Sequence, residues 1–336
     1  MTSDPVKEWS TVSELDTRLL GSTGLVVSRI GLGLAALGRP AYINLGRDQD
    51  YGRERTVAVM EQRCHAMLDA AYAAGVRYVD AARSYGLAES FLGTWLNARR
   101  PDALTIGSKW GYSYVGSWRL DAPVHEVKDL SVDTLRRQIV ESRTFLDQRL
   151  RLYQIHSATI ESGVLDDVQV LDELGRLHSE GLAIGLTVTG PGQSDVIRRA
   201  LDVNARRGNL FQVVQATWNL LEPSAGAALA DARSLGLGVI IKEAVANGRL
   251  TERNTSDEVS PLTRYAHVHH TSSDVVAIAA ALSNSWVDVV LSGAVTAEQL
   301  TSNLRAVDLA QNIGDVPEIA EPPHEYWARR SGLEWG

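Results

Sequence analysis

The sequence has very little cysteine, a deficit of basic residues and no long apolar run. Cys64 is the one cysteine among 336 residues, which excludes an intramolecular disulfide framework and a thiolate metal cluster and fits a reducing compartment. Lys and Arg number 33 against 41 Asp and Glu, a net charge of −8 with no basic stretch, so nucleic acid and anionic membranes are not expected partners. The apolar runs are too short to span a membrane, and the start, MTSDPVKEWS, has no apolar segment behind a basic one. We therefore expect a cytoplasmic protein.

Short runs rich in Val, Ile and Leu alternate with longer segments of helical periodicity. This alternation is typical of parallel strands joined by crossover helices. After a hairpin, TRLLGSTGLVV, strands are predicted at about Ser28–Leu34, Arg77–Asp80, Leu104–Lys109, Leu152–His156, Ala183–Thr189, Phe211–Ala216, Gly238–Ala244 and Asp288–Gly293. Helices are predicted at about Gln62–Ala74, Ala88–Asn97, Val132–Leu146, Asp166–Glu180, Gln193–Arg206, Ser224–Leu235, Asp274–Ser283 and Ala297–Ala310.

These repeated units have no Pro/Ser-rich linker dividing them into halves. They predict an α/β fold, a (β/α)8 TIM barrel, as one domain over residues 1–336, with a core at about 18–310 and a C-terminal tail at 311–336. A doubly wound sheet is the competing fold, but the glycines at and just beyond the end of the first strand, Gly31, Gly33 and Gly38, lack the GxGxxG spacing. Long loops follow strands one, three and seven at 41–57, 110–129 and 245–271, and in a barrel they are expected to cover a substrate.

Ionisable side chains of complementary type collect where the predicted strands end. Asp80 ends the second strand and Tyr85 follows it, Lys109 ends the third strand, and His156 ends the fourth. Taken singly, each has a structural interpretation: a helix cap, a half-buried surface aromatic, a solvated lysine and a core histidine. Their convergence on one rim of a barrel favours an active site.

Several segments together resemble the aldo-keto reductase superfamily. They are 80–89 (DAARSYGLAE), 107–109 (GSK) and 154–156 (QIH), with 18–33, 184–187, 215–220 and 293–303 matching further family motifs in the correct order. The resemblance covers about residues 18–310. It implies a barrel that reduces aldehydes or ketones with a nicotinamide cofactor, usually NADPH, or runs the reverse oxidation.

The resemblance also assigns catalytic roles. Tyr85 would be the general acid, Lys109 and Asp80 would tune it, and His156 would orient the carbonyl. An ammonium beside a tyrosine favours the phenolate and so lowers its pKa, while Asp80 would keep Lys109 charged and in place.

The cofactor contacts implied by the resemblance are spread over the strand ends. They are Gly33, Leu34, Asp80, Thr187, Val188, Gln215, Lys242, Glu243, Ala244, Gly248, Leu250, Ser292, Gly293, Ala294, Val295, Gln299 and Asn303. Thr187 and Val188 stand where the family has Ser and Asn, and Lys242 stands where it has an aromatic residue that stacks on the nicotinamide. Lys242 either forms a structural pair with Glu243, contacts the cofactor's phosphates or ribose, or adds a second cation near Tyr85.

No basic residue stands in the segment 292–299, where the family often holds the 2′-phosphate of NADP. NADP(H) is the family default, but NAD(H) or dual use is also open, with Lys242 or Arg249 as substitutes for the missing cation. The start of the eighth helix could bind phosphate through its N–H groups.

Two further clusters allow alternative interpretations. Trp110, Tyr112, Tyr114 and Trp118, together with Trp218, are predicted to line the substrate pocket, the alternative being a local aromatic core. His267, His269 and His270 lack a neighbouring Cys or carboxylate at metal-site spacing, so a solvated loop or lid contact is favoured and no metal is predicted.

We therefore expect an NAD(P)(H)-dependent oxidoreductase that acts on a small-molecule aldehyde or ketone. One alternative is a dehydrogenase of a sugar or secondary alcohol. Another, of a different class, is a cofactor-binding regulatory subunit resembling the β-subunits of potassium channels. A homo-oligomer is possible, because the tail could dock on its own barrel or on a neighbouring copy.

Overall fold

Eight parallel strands close into a barrel in the computed structural model, which describes residues 16–46, 48–52 and 54–335. The strands in chain order are β1 (Thr17–Leu19), β2 (Val26–Ser28), β3 (Ile30–Gly33), β4 (Tyr78–Asp80), β5 (Thr105–Trp110), β6 (Tyr112–Tyr114), β7 (Glu126–Lys128), β8 (Leu150–Ala158), β9 (Ala183–Val188), β10 (Val213–Thr217), β11 (Gly238–Lys242) and β12 (Val289–Ser292). Around the barrel they run β10-β11-β12-β3-β4-β5-β8-β9, so chain neighbours among the barrel strands are also spatial neighbours. The predicted (β/α)8 barrel is confirmed.

Helices pack on the outside of the barrel. They are α1 (Asp48–Tyr51), α2 (Val57–Ala73), α3 (Ala88–Arg99), α4 (Val132–Leu146), α5 (Val168–Ser179), α6 (Gln193–Arg207), α7 (Gly226–Ser234), α8 (Ser260–Val268), α9 (Ser273–Leu282), α10 (Ala297–Leu304), α11 (Ala306–Leu309) and α12 (Pro323–Ser331). Capping sets several boundaries: the Asp167 side chain accepts from the N–H groups of the first turn of α5, and Gly181 follows that helix with φ at +92°. The segments 147–149, 246–248 and 257–259 form 3-10 turns.

The N-terminal hairpin closes the bottom of the barrel. β1 and β2 pair antiparallel, and Leu20, Leu25 and Val27 from this hairpin are buried against residues of the barrel interior such as Leu152 and Val213. A second, larger apolar cluster lies between the strands and the helices. The apolar residues therefore fill both layers, and the C-terminal ends of the strands are left for polar side chains.

The structure changes some predicted boundaries. The last predicted helix is split at Arg305 into α10 and α11, and α2 begins five residues earlier than predicted, where the Thr56 side chain caps it. The predicted long loops contain structure: α1 in the first, the β6/β7 hairpin in the second, and α8 in the third. The polar start MTSDPVKEWS lies outside the described residues. Within the described ranges, no helix combines the length and apolar character needed to cross a membrane.

Candidate active site

Lys109 and Asp80 form a buried ion pair at the C-terminal ends of neighbouring strands. β4 and β5 pair in parallel, which places Asp80 at the end of one strand beside Lys109 near the end of the next. The Lys109 ammonium binds the Asp80 carboxylate, and it donates to the Ala81 carbonyl at 3.0 Å and to the Tyr85 hydroxyl at 3.3 Å. Both charged side chains are almost completely buried. Asp80, Lys109 and Tyr85 thus meet as the strand ends predicted.

The second oxygen of Asp80 accepts further hydrogen bonds that the sequence did not indicate. The Tyr78 hydroxyl donates to Asp80 Oδ1 at 3.0 Å, and the side-chain amides of Gln215 and Gln154 donate to the same atom at 3.1 and 3.5 Å. Tyr78 stands two residues before Asp80 and Gln154 two residues before His156, and both side chains point into the barrel. Residues two apart in a strand lie on the same face, so this spacing could have revealed them. These donors fix the carboxylate that holds Lys109.

Tyr85 lies in the turn after β4, and its hydroxyl faces the Lys109 ammonium. The Arg39 guanidinium, itself buried and paired with Glu126 at 2.7 Å, lies 5.2 Å from the Tyr85 ring centre. Burial, followed by the negative charge of Asp80, raises the pKa of Tyr85 well above its ordinary value of 10.0. The expectation of a lowered pKa is therefore wrong: the Asp80 charge opposes the phenolate, and the tyrosine is held in its protonated, proton-donating form.

His156 lies at an irregularity in β8. The pairing of β8 with β9 shifts register between Ile155 and Ala158, and such a bulge re-aims a side chain. The imidazole makes an edge contact with Tyr85, with ring centres 5.5 Å apart, and its Nδ1 lies 3.4 Å from Ser84 Oγ. Burial and the positive charges of Lys109 and Lys242 lower the pKa of His156 well below 6.5. His156 is therefore neutral, with one ring N–H to donate.

A cavity of about 640 Å³ opens beside Tyr85 and Asp80 and extends to Arg305. Its size lies within the range of roughly 300–1,000 Å³ seen for cofactor and small-molecule sites. The predicted cofactor residues that line it are Gly33, Asp80, Gln215, Lys242, Glu243, Ala244, Gly248, Ser292, Gly293, Ala294, Gln299 and Asn303. Hydrogen-bonding groups lie at both ends, and small residues form part of the wall.

A model of the aldo/keto reductase family matches residues 29–321. The chain belongs to the aldo/keto reductase family. It is an enzyme, an oxidoreductase acting on carbonyl compounds, and enzymes of this family generally use NAD(P)H. The cavity fits that cofactor class, because its inner end carries the Gln215 amide and the tyrosine, and its outer end carries the polar side chains of α10.

Known relatives cover nearly the whole chain. L-galactose dehydrogenase of Arabidopsis thaliana is 26% identical over 352 residues, which cover 93% of this chain and 96% of that protein. D-threo-aldose 1-dehydrogenase of a Pseudomonas species is 26% identical over 342 residues, covering 89% and 95%. The holo structure of the aldo-keto reductase AKR11C1 from Bacillus halodurans superposes with a TM-score of 0.67 at 19% identity, covering 94% and 96% of the two chains, a likeness of fold.

Other predicted cofactor residues of this aldo/keto reductase lie outside the cavity lining. These are Leu34, Thr187, Val188, Leu250 and Val295, all of them buried. The Thr187 hydroxyl oxygen accepts a hydrogen bond of 2.7 Å from the Ser157 amide, so it supports the bulge beside His156. Arg249, suggested as a substitute cation, is paired with Glu321 instead.

The predicted aromatic pocket is not assembled on this cavity. Trp110 is fully buried, because alternation along β5 turns it away from the barrel interior that Lys109 faces. The Trp118 indole donates to the Arg55 carbonyl at 2.7 Å, and Trp218 packs edge-on against Trp286 at 6.0 Å. Tyr112 lies beside His156, with ring centres 5.0 Å apart, and the Tyr114 hydroxyl accepts from the Trp118 amide at 3.1 Å.

Lys242 and Glu243 do not form the pair considered from the sequence. Glu243 is bound by the Arg330 guanidinium, whose Nε lies 2.9 and 3.1 Å from its two oxygens. Although burial acts in the opposite direction, Arg330 and Lys242 lower the pKa of Glu243 to about 2. The Lys242 ammonium instead donates to Thr217 Oγ1 at 2.9 Å, and burial lowers its pKa to about 8.

The C-terminal segment, residues 321–335, docks on the catalytic face of its own barrel. Besides the bond from Arg330 in α12, Trp335 stacks on His125 with ring centres 4.2 Å apart and lies 4.8 Å from the Arg39 guanidinium. Trp335 also forms an antiparallel bridge with Ile43 and an edge contact with Tyr42, which lines the cavity. The sequence gives no signal for Arg39 and Arg330, since their partners Glu126 and Glu243 are far away in the chain.

The outer end of the cavity is formed by α9 and α10. Asp274 and Glu298 bring two carboxylates to it and Arg305 brings one guanidinium. Ser302 Oγ donates to Asp274 at 2.9 Å and lies 3.4 Å from an Arg305 nitrogen. His267, His269 and His270 lie at the end of α8 and just beyond it. In the described parts of the chain, no three His, Cys, Asp or Glu side chains are placed to hold a metal ion.

Proposed function

We propose that this enzyme transfers a hydride between NAD(P)H and the carbonyl of an aldehyde or ketone, with Tyr85 as the proton donor. One observation carries the proposal: the Tyr85 hydroxyl lies 3.3 Å from the Lys109 ammonium, itself paired with buried Asp80, at the inner end of the cavity. When bound, the nicotinamide supplies or accepts the hydride.

The residues around Tyr85 divide the proton chemistry of carbonyl reduction. Tyr85 and neutral His156 donate hydrogen bonds to the carbonyl oxygen, where negative charge develops as the carbon accepts the hydride. Tyr85 then gives its proton to that oxygen, and Lys109 stabilises the phenolate that is left until it is reprotonated. In the reverse reaction the same phenolate removes the proton of an alcohol.

Replacement of Tyr85 by Phe tests this proposal. Turnover of an accepted carbonyl substrate should fall by roughly 100- to 10,000-fold, while the dissociation constant of the reduced cofactor stays unchanged. Tyr72→Phe is the matched control, because the Tyr72 hydroxyl bonds the Asp102 carbonyl outside the site, at 3.0 Å. Full turnover in Tyr85→Phe would refute the proposal.

A second candidate, oxidation of an aldose, is favoured by the relatives whose names are sugar dehydrogenases. Both match most of the chain, 93% and 89% of it, and oxidation at the hydroxyl of a sugar ring uses the same proton path through Tyr85. Carbonyl compounds and aldoses, each assayed with NAD(H) and with NADP(H) by nicotinamide absorbance, separate the two candidates. If the enzyme reduces simple aldehydes and oxidises no aldose, only the first candidate, carbonyl reduction, would be left.

We propose further that NAD(H) is the preferred cofactor. A dinucleotide with its nicotinamide beside Tyr85 places its adenosine at the outer end of the cavity. There the carboxylates of Asp274 and Glu298 outnumber the one guanidinium of Arg305, so the net charge would repel a 2′-phosphate, and a carboxylate can accept a hydrogen bond from a ribose hydroxyl. NADH should bind about tenfold or more tightly than NADPH, and Asp274→Asn should narrow the difference. Asp308→Asn, on the exposed side of α11, is the control. Tighter binding of NADPH, unaltered in Asp274→Asn, would contradict this preference.

A further inference from the structure

Lys242 places an incompletely compensated positive charge in the cavity. Its side chain lines the inner end, and its ammonium makes one hydrogen bond to a described residue, the Thr217 hydroxyl at 2.9 Å, which in turn donates to Glu243 at 3.4 Å. Within the described ranges it makes no ion pair with a carboxylate. Buried charges are normally paired, so a lysine in this state calls for a functional explanation.

The charged groups around Lys242 are already matched with one another. Glu243, next in the chain, is bound by Arg330 from α12, and Asp80 on β4 is bound by Lys109 on β5. The Trp327 ring, 5.9 Å from the Lys242 nitrogen, adds a neutral face. The positive and negative charges within each of these two pairs cancel, so the inner end of the cavity carries about one net positive charge, on Lys242.

The nicotinamide of the proposed reaction must lie at this same end. Its reacting carbon has to contact the carbon whose oxygen binds Tyr85, and Asp80, Tyr85, Gln215 and Lys242 line the cavity there together. The oxidised ring carries a positive charge and the reduced ring is neutral. A fixed ammonium nearby therefore acts differently on the two forms.

Building on the proposed function, we propose that Lys242 makes the site discriminate against the oxidised nicotinamide in favour of the reduced one. The equilibrium among bound species is then biased toward oxidation of the alcohol substrate, while the equilibrium in free solution is unchanged. Lys242 is a specificity-determining residue for the redox state of the cofactor in this interpretation. If Lys242 instead contacted a cofactor phosphate, it would strengthen the binding of the oxidised and the reduced cofactor equally. If it contacted an anionic substrate, it would change the affinity for neither form.

The affinity ratio of the two cofactor forms tests the inference without turnover. Dissociation constants for NAD+, NADH, NADP+ and NADPH are measured by titration calorimetry on wild type, Lys242→Met and Lys242→Arg. The preference for the reduced form should fall about tenfold or more in Lys242→Met and persist in Lys242→Arg. Arg206→Met is the control, since Arg206 is an exposed cation near the end of α6, outside the cavity lining, and its loss should leave the ratio unaltered.

The wild-type ratio should also depend on pH. Burial lowers the Lys242 pKa to about 8, so most of the ammonium charge present at pH 7 is lost by pH 9, and the oxidised form should gain affinity over that range. Glu243, Arg330, Lys109 and Asp80 are the charged groups that face it. In Lys242→Met the ratio should be constant between these pH values.

Three results would overturn the inference in distinguishable ways. An equal loss of affinity for the oxidised and the reduced cofactor in Lys242→Met would make Lys242 a phosphate contact. Unchanged affinity for both would remove Lys242 from the cofactor site. Both results leave the proposed reaction standing. Failure of the wild-type protein to bind any of the four nucleotides would overturn the proposed function as well.

Discussion

Replacement of Glu243 by Gln measures what the Glu243 carboxylate contributes to stability, chiefly through its bond to Arg330 of α12. The Glu243 carboxylate is buried at the end of β11 and is held by Arg330 of α12, while the Asn219 amide donates to the Glu243 carbonyl and contacts the Tyr326 hydroxyl, both at 3.0 Å. The substitution keeps the shape of the side chain and removes its charge. Arg330 is then left without its carboxylate in a largely buried position.

The size of the effect follows from the pKa of Glu243. It falls from 4.5 to about 2 on folding, and each pKa unit corresponds to about 1.4 kcal/mol, so the charged state contributes about 3 kcal/mol at pH 7. Because the folded-state pKa is the lower one, this contribution is complete above about pH 5 and is lost as the pH falls toward 2. At pH 3.5 about 2 kcal/mol should remain.

Urea unfolding followed by circular dichroism, together with amide hydrogen exchange in α12, measures the difference between wild type and Glu243→Gln. It should be about 3 kcal/mol at pH 7 and shrink by about 1 kcal/mol at pH 3.5. Glu325→Gln makes the same charge change on the exposed face of α12 and should cost less than 0.5 kcal/mol, a typical surface value. A Glu243→Gln difference that stays constant with pH, or stays below about 1 kcal/mol in both measurements, would refute the reasoning.

Three further predictions concern the catalytic centre. Lys109→Met leaves the buried Asp80 carboxylate without its cation, so the free energy of unfolding in urea should fall by about 3 kcal/mol or more. A variant as stable as the wild type would show that Lys109 does not compensate the Asp80 charge. Gly38→Ala places a methyl group 2.3 Å from the Tyr85 carbonyl oxygen, so steady-state turnover should fall at least about tenfold as the turn is displaced, and an unaltered rate would show that the turn can yield. Because His156 is neutral, the rate of carbonyl reduction should show no inflection near pH 6.5, and one that disappears in His156→Gln would show that its imidazole titrates there.

The strands and the convergence of the four candidate catalytic side chains could be predicted because both depend on local patterns. Apolar runs mark the barrel strands, and Asp80, Lys109 and His156 each stand at or near a strand end, so the parallel topology brings them together. The aim of each side chain depends on details that periodicity does not encode. The bulge in β8 turns His156 toward Tyr85, and Thr187, at the expected strand end, bonds that bulge rather than the cavity.

The missed parts of the site come from contacts between distant segments. Arg39, in the loop after β3, meets Glu126 and Trp335, which lie on two other segments of the catalytic face. No sequence period relates such positions, so neither the partners of Arg39 nor the clasp of Arg330 on Glu243 could be predicted. Trp110 is different, since the alternation that directs Lys109 inward already requires its neighbour to face outward.

The docked C-terminal segment has a consequence for the time at which the enzyme becomes active. Trp335 is synthesised roughly forty residues after the last barrel strand, a delay of a few seconds at the usual rate of translation. Until then the barrel can close, but Glu243 lacks its guanidinium partner, and His125 and Tyr42 lack the indole that packs on them. A nascent chain that ends before residue 321 should accordingly contain the barrel strands but lack the contacts that Arg330 and Trp335 make with Glu243, His125 and Tyr42.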